Sequence, residues 1–249
     1  MNVSNKIILI TGGGSGIGFE IAKQLIAKGN RVIITGRSES RLQKAAEQLN
    51  NVSYIVSDIT RPEDAVRLRS HLENLGGLDI LINNAGNAHT YKLAIDASTA
   101  TRATEEFTTN VFSAMRLIDE LLPLLLQSDD AAIVNVSSTV ALVPAGSIPT
   151  YSASKAALHS YTQSLRLALS KNTSIKVFEL MPPLVDTEFS TEIGGENGIP
   201  PSEVADSLLK GLENDTYEIL TGNTAAIYHL SRAATYAEAF KLMNQEEEV

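Results

Sequence analysis

Short apolar runs alternate with longer amphipathic stretches along the chain. Runs at 6–10, 31–35, 52–57, 79–82, 131–137 and 175–181 have strand length and composition, with Glu218-Ile-Leu220 as a possible seventh. Between them, apolar positions recur at helical spacing over 16–28, 39–49, 62–75, 101–127, 151–170 and 202–213. This order predicts an α/β fold: a doubly wound parallel sheet of about seven strands with helices on both faces. No repeat, low-complexity segment or linker interrupts it, so residues 1–249 are expected to form a single domain. Residues 187–201, with Gly194-Gly195, Gly198 and Pro200-Pro201, form one long irregular stretch, either a plain surface loop or a lid at the strand ends. Residues 224–243 read as a helix with a broken apolar face. It would dock on its own chain or a sister subunit rather than a membrane, because it is not basic and is followed by Glu246-Glu-Glu248.

Charge and cysteine usage narrow the function classes. A formal charge of −9 and a pI near 5.0 argue against a nucleic-acid surface. With no cysteine, neither disulfides nor thiolate chemistry is available. No apolar run approaches the ~18 residues of a membrane span, and the N-terminus passes directly into a strand, so a cytoplasmic protein is expected. The four histidines, at 71, 89, 159 and 229, lack carboxylate or cysteine partners at ligand spacing, and no metal site is expected. His159 reads as satisfied packing and His89 as a loop residue open to solvent at the pocket's edge.

Two motifs carry chemistry. Lys6-Ile-Ile-Leu-Ile10 enters Thr11-Gly-Gly-Gly-Ser-Gly-Ile-Gly18, and an amphipathic stretch from Phe19 to Lys28 follows. Strand, glycine turn and helix form the context of a dinucleotide fingerprint. The glycines permit close backbone approach, and the helix's first N–H groups then face a pyrophosphate. The second motif is Tyr151-Ser-Ala-Ser-Lys155, with Ser138 thirteen positions before the tyrosine. On a helix the four-residue step puts Tyr151 and Lys155 on one face. A phenol with a pKa of ~10 is a poor acid-base group, and a fixed ammonium beside it is expected to lower that value by roughly 1–3 units. With the Ser138 hydroxyl at a strand's carboxyl end, such a phenol could polarise and protonate a carbonyl as hydride arrives.

Together these motifs resemble the short-chain dehydrogenase/reductase family over nearly the whole chain. Asn83-Asn84-Ala85-Gly86 after the fourth strand and Asn110 within Glu106-Phe-Thr-Thr-Asn-Val-Phe112 extend the match, as does Val134-Asn-Val-Ser-Ser138. The resemblance implies a Rossmann-type enzyme with Asn110, Ser138, Tyr151 and Lys155 as catalytic tetrad. It further implies cofactor contacts from Gly12, Gly14, Ser15, Gly16, Ile17, Gly18, Asp58, Asn84, Ala85, Gly86, Tyr151, Lys155, Val185 and Thr187. Asp58 reads equally as a helix N-cap near Pro62. Family members are commonly tetramers that pack the helices at 101–127 and 151–170, so a homo-oligomer, dimer or tetramer, is expected.

The second strand bears on cofactor choice. It ends Ile33-Ile-Thr-Gly-Arg37, so Gly36 stands where an acidic residue would bind a ribose 2′-hydroxyl, and Arg37 offers a fork suited to a 2′-phosphate. NADP(H) is the expected cofactor, with NAD(H) as the alternative and Arg37 as a solvated helix-start residue in that case. After the sixth strand, Met181-Pro-Pro-Leu-Val-Asp-Thr187 departs from the family's usual Pro-Gly, and Pro183 should stiffen that turn. This form, with Tyr217-Glu-Ile-Leu-Thr-Gly222, resembles the bacterial DltE-like branch. The expected activity is hydride transfer between NADP(H) and a small-molecule carbonyl or secondary alcohol. An alternative of another class is a sensor or scaffold that binds NADP(H) without turnover, although all four tetrad residues are present. A sugar-nucleotide epimerase or dehydratase fits poorly without an added C-terminal substrate domain, and an enoyl reductase spaces its Tyr and Lys more widely.

Overall fold

The chain begins in the middle of its sheet and winds outward twice. In the computed structural model, which describes residues 1–50, 52–95 and 97–233, β1 (Ile7–Thr11), β2 (Arg31–Gly36) and β3 (Val52–Val56) build one half. The other half is β4 (Ile80–Asn83), β5 (Ala132–Val136), β6 (Lys176–Met181) and β7 (Glu218–Leu220). The order is β3-β2-β1-β4-β5-β6-β7, every pair parallel, and the expected seventh strand pairs with β6. Winding reverses between β1 and β4, and the loops leaving their carboxyl ends diverge there to open a crevice.

Helices cover both faces. On one lie α1 (Gly16–Ala27), α2 (Glu39–Gln48) and α7 (Pro201–Glu213), packed on Ile8, Ile10, Val134 and Phe178. On the other, α3 (Pro62–Leu75), α5 (Ser113–Leu125) and α6 (Pro149–Ser170) bury Leu9, Leu81, Ile133 and Val177. Local chemistry sets the boundaries. The Ser38 hydroxyl accepts from Arg41 N–H to start α2. Pro62, Glu63 and Asp64 open α3, and Gly76, at φ 102°, ends it.

The helix expected over 101–127 is interrupted. α4 (Thr99–Phe107) passes into a π-helical turn, Thr108–Phe112, before α5 begins. The wide turn carries Asn110, whose side chain is bonded to other segments, and such insertions often mark functional positions. Residues 187–201, expected to be irregular, hold two 3₁₀ turns, Glu188–Ile193 and Gly195–Asn197. A bridge between Val185 and Ile199 closes the base of this segment. The C-terminal helix is present as α8 (Thr224–Arg232), with Ile227 buried against Val143 of the same chain. The remainder of the stretch expected over 224–243, beyond residue 233, lies outside the described residues. Among the described residues, no helix is long and apolar enough to cross a membrane.

Candidate active site

Thr11 and Asn84 knot the first and fourth strands together at the crevice. The buried Thr11 hydroxyl accepts from the N–H groups of Asn84 and Ala85, each at 3.0 Å. In return, Asn84 Nδ2 donates to the carbonyls of Thr11 (2.9 Å) and Gly12 (3.2 Å). The Asn84 side chain is therefore committed to holding the glycine turn. Two glycines are needed for this. Gly12 has φ +66° with Ala85 Cα 3.0 Å from where a Cβ would sit, and a Cβ on Gly18 would lie 2.5 Å from both Asn84 Nδ2 and the Gly12 carbonyl. Gly14, Ser15, Gly16 and Ile17 complete the turn into α1. Ser15 makes no side-chain cap and the first turn carries no acid, so the helix's leading N–H groups suit an anion such as a pyrophosphate.

The four tetrad candidates converge one strand along. Ser138 lies just past β5, and Tyr151 and Lys155 lie one turn apart on α6. Lys155 is buried, donates to the Val136 carbonyl at 2.8 Å, and holds its ammonium 5.5 Å from the centre of the Tyr151 ring. Gly86 lies beside this cluster: a Cβ there would sit 3.4 Å from Asn110 Oδ1 and 3.8 Å from Lys155 Nζ, at ordinary contact distance. Asn110 acts as a brace. Its Oδ1 accepts from Asn87 N–H (2.8 Å), and its Nδ2 donates to the Asn87 carbonyl (2.8 Å) and to Ser154 Oγ (2.9 Å).

Electrostatics corrects one expectation. Burial pushes the Tyr151 phenol above its ordinary value, the Ser138 side chain acts in the opposite sense, and the Glu106 carboxylate adds to the rise. Burial sets the direction and the lowering expected from Lys155 is not found, although part of the ring remains open to solvent. Burial also pushes Lys155 down, to about 8, against the pull of Glu179.

The turn after β6 closes the floor. The Pro182 carbonyl accepts from Thr139 N–H (3.0 Å) and from Ser138 Oγ (3.4 Å), while Pro183 packs on Gly222. The bridge at Val185 uses the Leu184 carbonyl and the Asp186 N–H, so Val185's own N–H takes no part in it. Thr187 lies against Gly16, with its methyl 3.2 Å from that residue's missing Cβ, which joins the segment after β6 to the glycine turn. Phe189 follows, its ring 6.1 Å from that of Tyr151.

At the outer end of the crevice Arg37 is exposed, and its charge acts on Asp58. Asp58 is not the N-cap of α3, a position held by Arg61. Its Oδ1 instead accepts from Thr60 N–H (3.0 Å) and the Thr60 hydroxyl (2.7 Å). Burial raises the Asp58 pKa, and the Thr60 hydrogen bonds with the Arg37 and Arg61 charges bring it below the ordinary carboxylate value. Arg41 was not anticipated. It lies beside Gly14 and pairs with Glu188 at 3.0 Å.

A sequence profile described as "short chain dehydrogenase" matches residues 6–198. The chain belongs to this family. Along 99% of its length it is 35% identical to the uncharacterized oxidoreductase DltE of Bacillus subtilis, which it matches end to end (100%). It is 31% identical to the uncharacterized oxidoreductase SERP2049 of Staphylococcus epidermidis, covering 86% of this chain and 94% of that protein. Among solved structures, a short-chain dehydrogenase from Burkholderia cenocepacia in complex with NADP superimposes with TM-score 0.86 at 27% identity, covering 98% of this chain and 100% of the other. One from Burkholderia phymatum in complex with NAD gives TM-score 0.87 over 98% and 97%, and at 22% identity this shows the fold alone. The family and these relatives make the protein an NAD(P)-dependent oxidoreductase acting on CH–OH or C=O groups.

His89 and His159 have carboxylate partners that sequence spacing did not reveal. His89 Nε2 lies 2.8 Å from Glu105, and His159 Nδ1 lies 2.8 Å from the fully buried Glu179. Among the described residues no group of three His, Cys, Asp or Glu side chains could hold a metal.

Proposed function

We propose that the protein is an NADP(H)-dependent reductase or dehydrogenase of a small carbonyl or secondary alcohol, with Tyr151 as the acid-base residue. The observation that carries this reading is the convergence of Ser138, Tyr151 and Lys155, with the Ser138 side chain bonded to the Tyr151 phenol and the Lys155 ammonium 5.5 Å from the Tyr151 ring. Bound NADP(H) would supply or accept the hydride. Tyr151 would give its phenolic proton to the carbonyl oxygen in reduction and take it back in oxidation. Lys155 would stabilise the phenolate left behind and hold the cofactor's ribose, and Ser138 would orient the carbonyl oxygen. Asn110 would position a water in the proton relay; its bonds to Asn87 and Ser154 support a fixed place for the π turn that carries it.

The cofactor contacts proposed are Gly12, Gly14, Ser15, Gly16, Ile17, Gly18, Arg37, Asp58, Asn84, Ala85, Gly86, Tyr151, Lys155, Val185 and Thr187. Exposed Arg37 after Gly36 supports the phosphate-bearing cofactor, and Arg41 stands nearby as a second cation. A single domain over 1–249 is proposed from one sheet that draws strands from Ile7 to Leu220. A homo-oligomer is proposed from the exposed apolar side chains Phe112, Leu126 and Leu167 along the π turn, α5 and α6. A cytoplasmic setting completes the reading. Screening a ketone and alcohol panel for NADPH consumption or NADP⁺ reduction tests the function. Turnover of some members supports it, whereas tight NADPH binding with no turnover across the panel favours the sensor reading.

A further inference from the structure

β6 carries a carboxylate deep inside the fold. Glu179 is fully buried, and its side chain turns to the face covered by α6. At this level the sheet presents a polar row: Asn83 on β4 pairs with Asn135 on β5, Asn135 with Glu179, and Glu179 with Glu218 on β7. Asn83 Nδ2 donates to Asn135 Oδ1, and Asn135 Nδ2 to Thr162 Oγ1, so the amides are tied within the row and to α6. A buried charge persists only where partners compensate its lost hydration. Glu179 has two: the Ser137 hydroxyl donates to Oε1, and His159 Nδ1 lies 2.8 Å from Oε2. Ser137 adjoins both Ser138 and the Val136 carbonyl that anchors Lys155, and His159 is one turn beyond Lys155 on α6.

We propose that Glu179 is a positioning residue for Lys155: a fixed negative charge, clamped by Ser137 and His159, that keeps the Lys155 side chain an ammonium beside Tyr151. This rests on Lys155 acting as proposed above. The geometry agrees with the electrostatics, since burial pushes Lys155 down and Glu179 is the charge acting against it. The hydrogen bond to Glu179 raises His159, burial lowers it, and the charges of Glu179 and Glu218 add to the rise while Arg232 of α8 opposes it. Around this pair, Arg166 of α6 lies 3.7 Å from Glu218, the Tyr228 hydroxyl of α8 donates to Glu218, and the Glu106 charge acts on Tyr151. A neutral residue at 179 would leave Lys155 to burial alone, and its proton would leave at lower pH.

The test is an NMR titration of the Lys155 ε-methylene in protein carrying ¹³C-labelled lysine, with the signal assigned by its loss in Lys155→Met. Glu179→Gln should move the Lys155 midpoint to lower pH by roughly half a unit or more. NADPH affinity should then weaken at correspondingly lower pH. His159→Gln removes the clamp but keeps the charge, and should leave the midpoint in place or raise it. A purely structural role would move both variants alike. If Glu179→Gln fails to fold, Glu179→Leu with His159→Leu removes both members of the pair, leaves neither without the other and makes the same prediction. An unchanged midpoint in whichever variant folds, or equal falls in Glu179→Gln and His159→Gln, overturns the proposal. Because the titration needs no cofactor, wild-type protein that binds neither NADPH nor NADH would sink the functional reading instead.

Discussion

Lys155 Nζ donates to the Val136 carbonyl across 2.8 Å, so the residue proposed to tune the phenol also pins α6 to the end of β5. The two roles separate experimentally. Tyr151→Phe keeps the ring and its packing but removes the proton donor, so NADPH affinity should stay near wild type. Turnover should fall by roughly a hundredfold or more. Lys155→Ala should lower both affinity and rate, because it removes the ammonium and the anchor together. Paired binding titrations and steady-state kinetics check both; normal turnover by Tyr151→Phe would refute the proposed chemistry.

Arg37 is the proposed reader of the 2′-phosphate. Arg37→Ala should weaken NADPH binding by about tenfold to a hundredfold, the loss of a charge-assisted contact, and leave NADH binding nearly unchanged. Fluorescence titration with both nucleotides measures this. Equal losses for the two would show that Arg37 supports the site without touching the phosphate.

The glycines at 18 and 14 make contrasting predictions. A Cβ on Gly18 would sit 2.5 Å from the Gly12 carbonyl, and neither backbone can retreat. Gly18→Ala should therefore cost about 1–3 kcal/mol and abolish nucleotide binding. At Gly14 the nearest atoms are side-chain carbons of Arg41 and Leu42, both at 3.4 Å, an ordinary contact distance. Gly14→Ala should fold at close to wild-type stability by urea denaturation.

His159 predicts a pH dependence of stability. Its folded pKa is raised, chiefly by the hydrogen bond to Glu179, so its contribution is fully present below the unfolded value of about 6.5 and is lost as pH rises through the folded value. Urea midpoints measured across this window should fall with rising pH in the wild type and fall less in His159→Gln. Identical slopes would show that the pair does not titrate on folding.

Residues 186–199 should respond in two parts. The amides of Asp186 and Ile199 are bonded in the bridge at the base of this stretch and should exchange slowly before any ligand is added. Amides over 188–197 should slow on adding NADPH with substrate, if the segment is a lid. Hydrogen exchange resolves the two sets, and full protection of both in the free protein would leave a static loop.

The alternation of apolar runs and helical spacing located every strand and the crevice, because a parallel sheet with helical crossovers permits few arrangements. Tyr151, Lys155 and Ser138 were legible because their spacing is local or ends an element. The π turn at Thr108–Phe112 was not legible, since the periodicity of 101–127 is that of one helix and the widening depends on Asn110 bonding Asn87 and Ser154 from elsewhere. Glu179 escaped notice for a similar reason. In Lys176-Val-Phe-Glu-Leu-Met181 it reads as a break in an apolar strand, and only the fold brings His159 and Ser137 to it. The phenol's raised pKa was missed because spacing shows which charges are near but not how much water has been removed.

The Arg41–Glu188 pair spans from the glycine-turn side of the crevice to residues 187–201, and both side chains are more than half exposed. Such a pair is screened by salt and biases an equilibrium by about fivefold at most. On a segment that closes over the crevice, it would work as a catch that rests shut without locking. Under the proposed cycle, the exchange of spent for fresh nucleotide should then speed up with ionic strength, and the rate of release would be set partly by the salt around the protein.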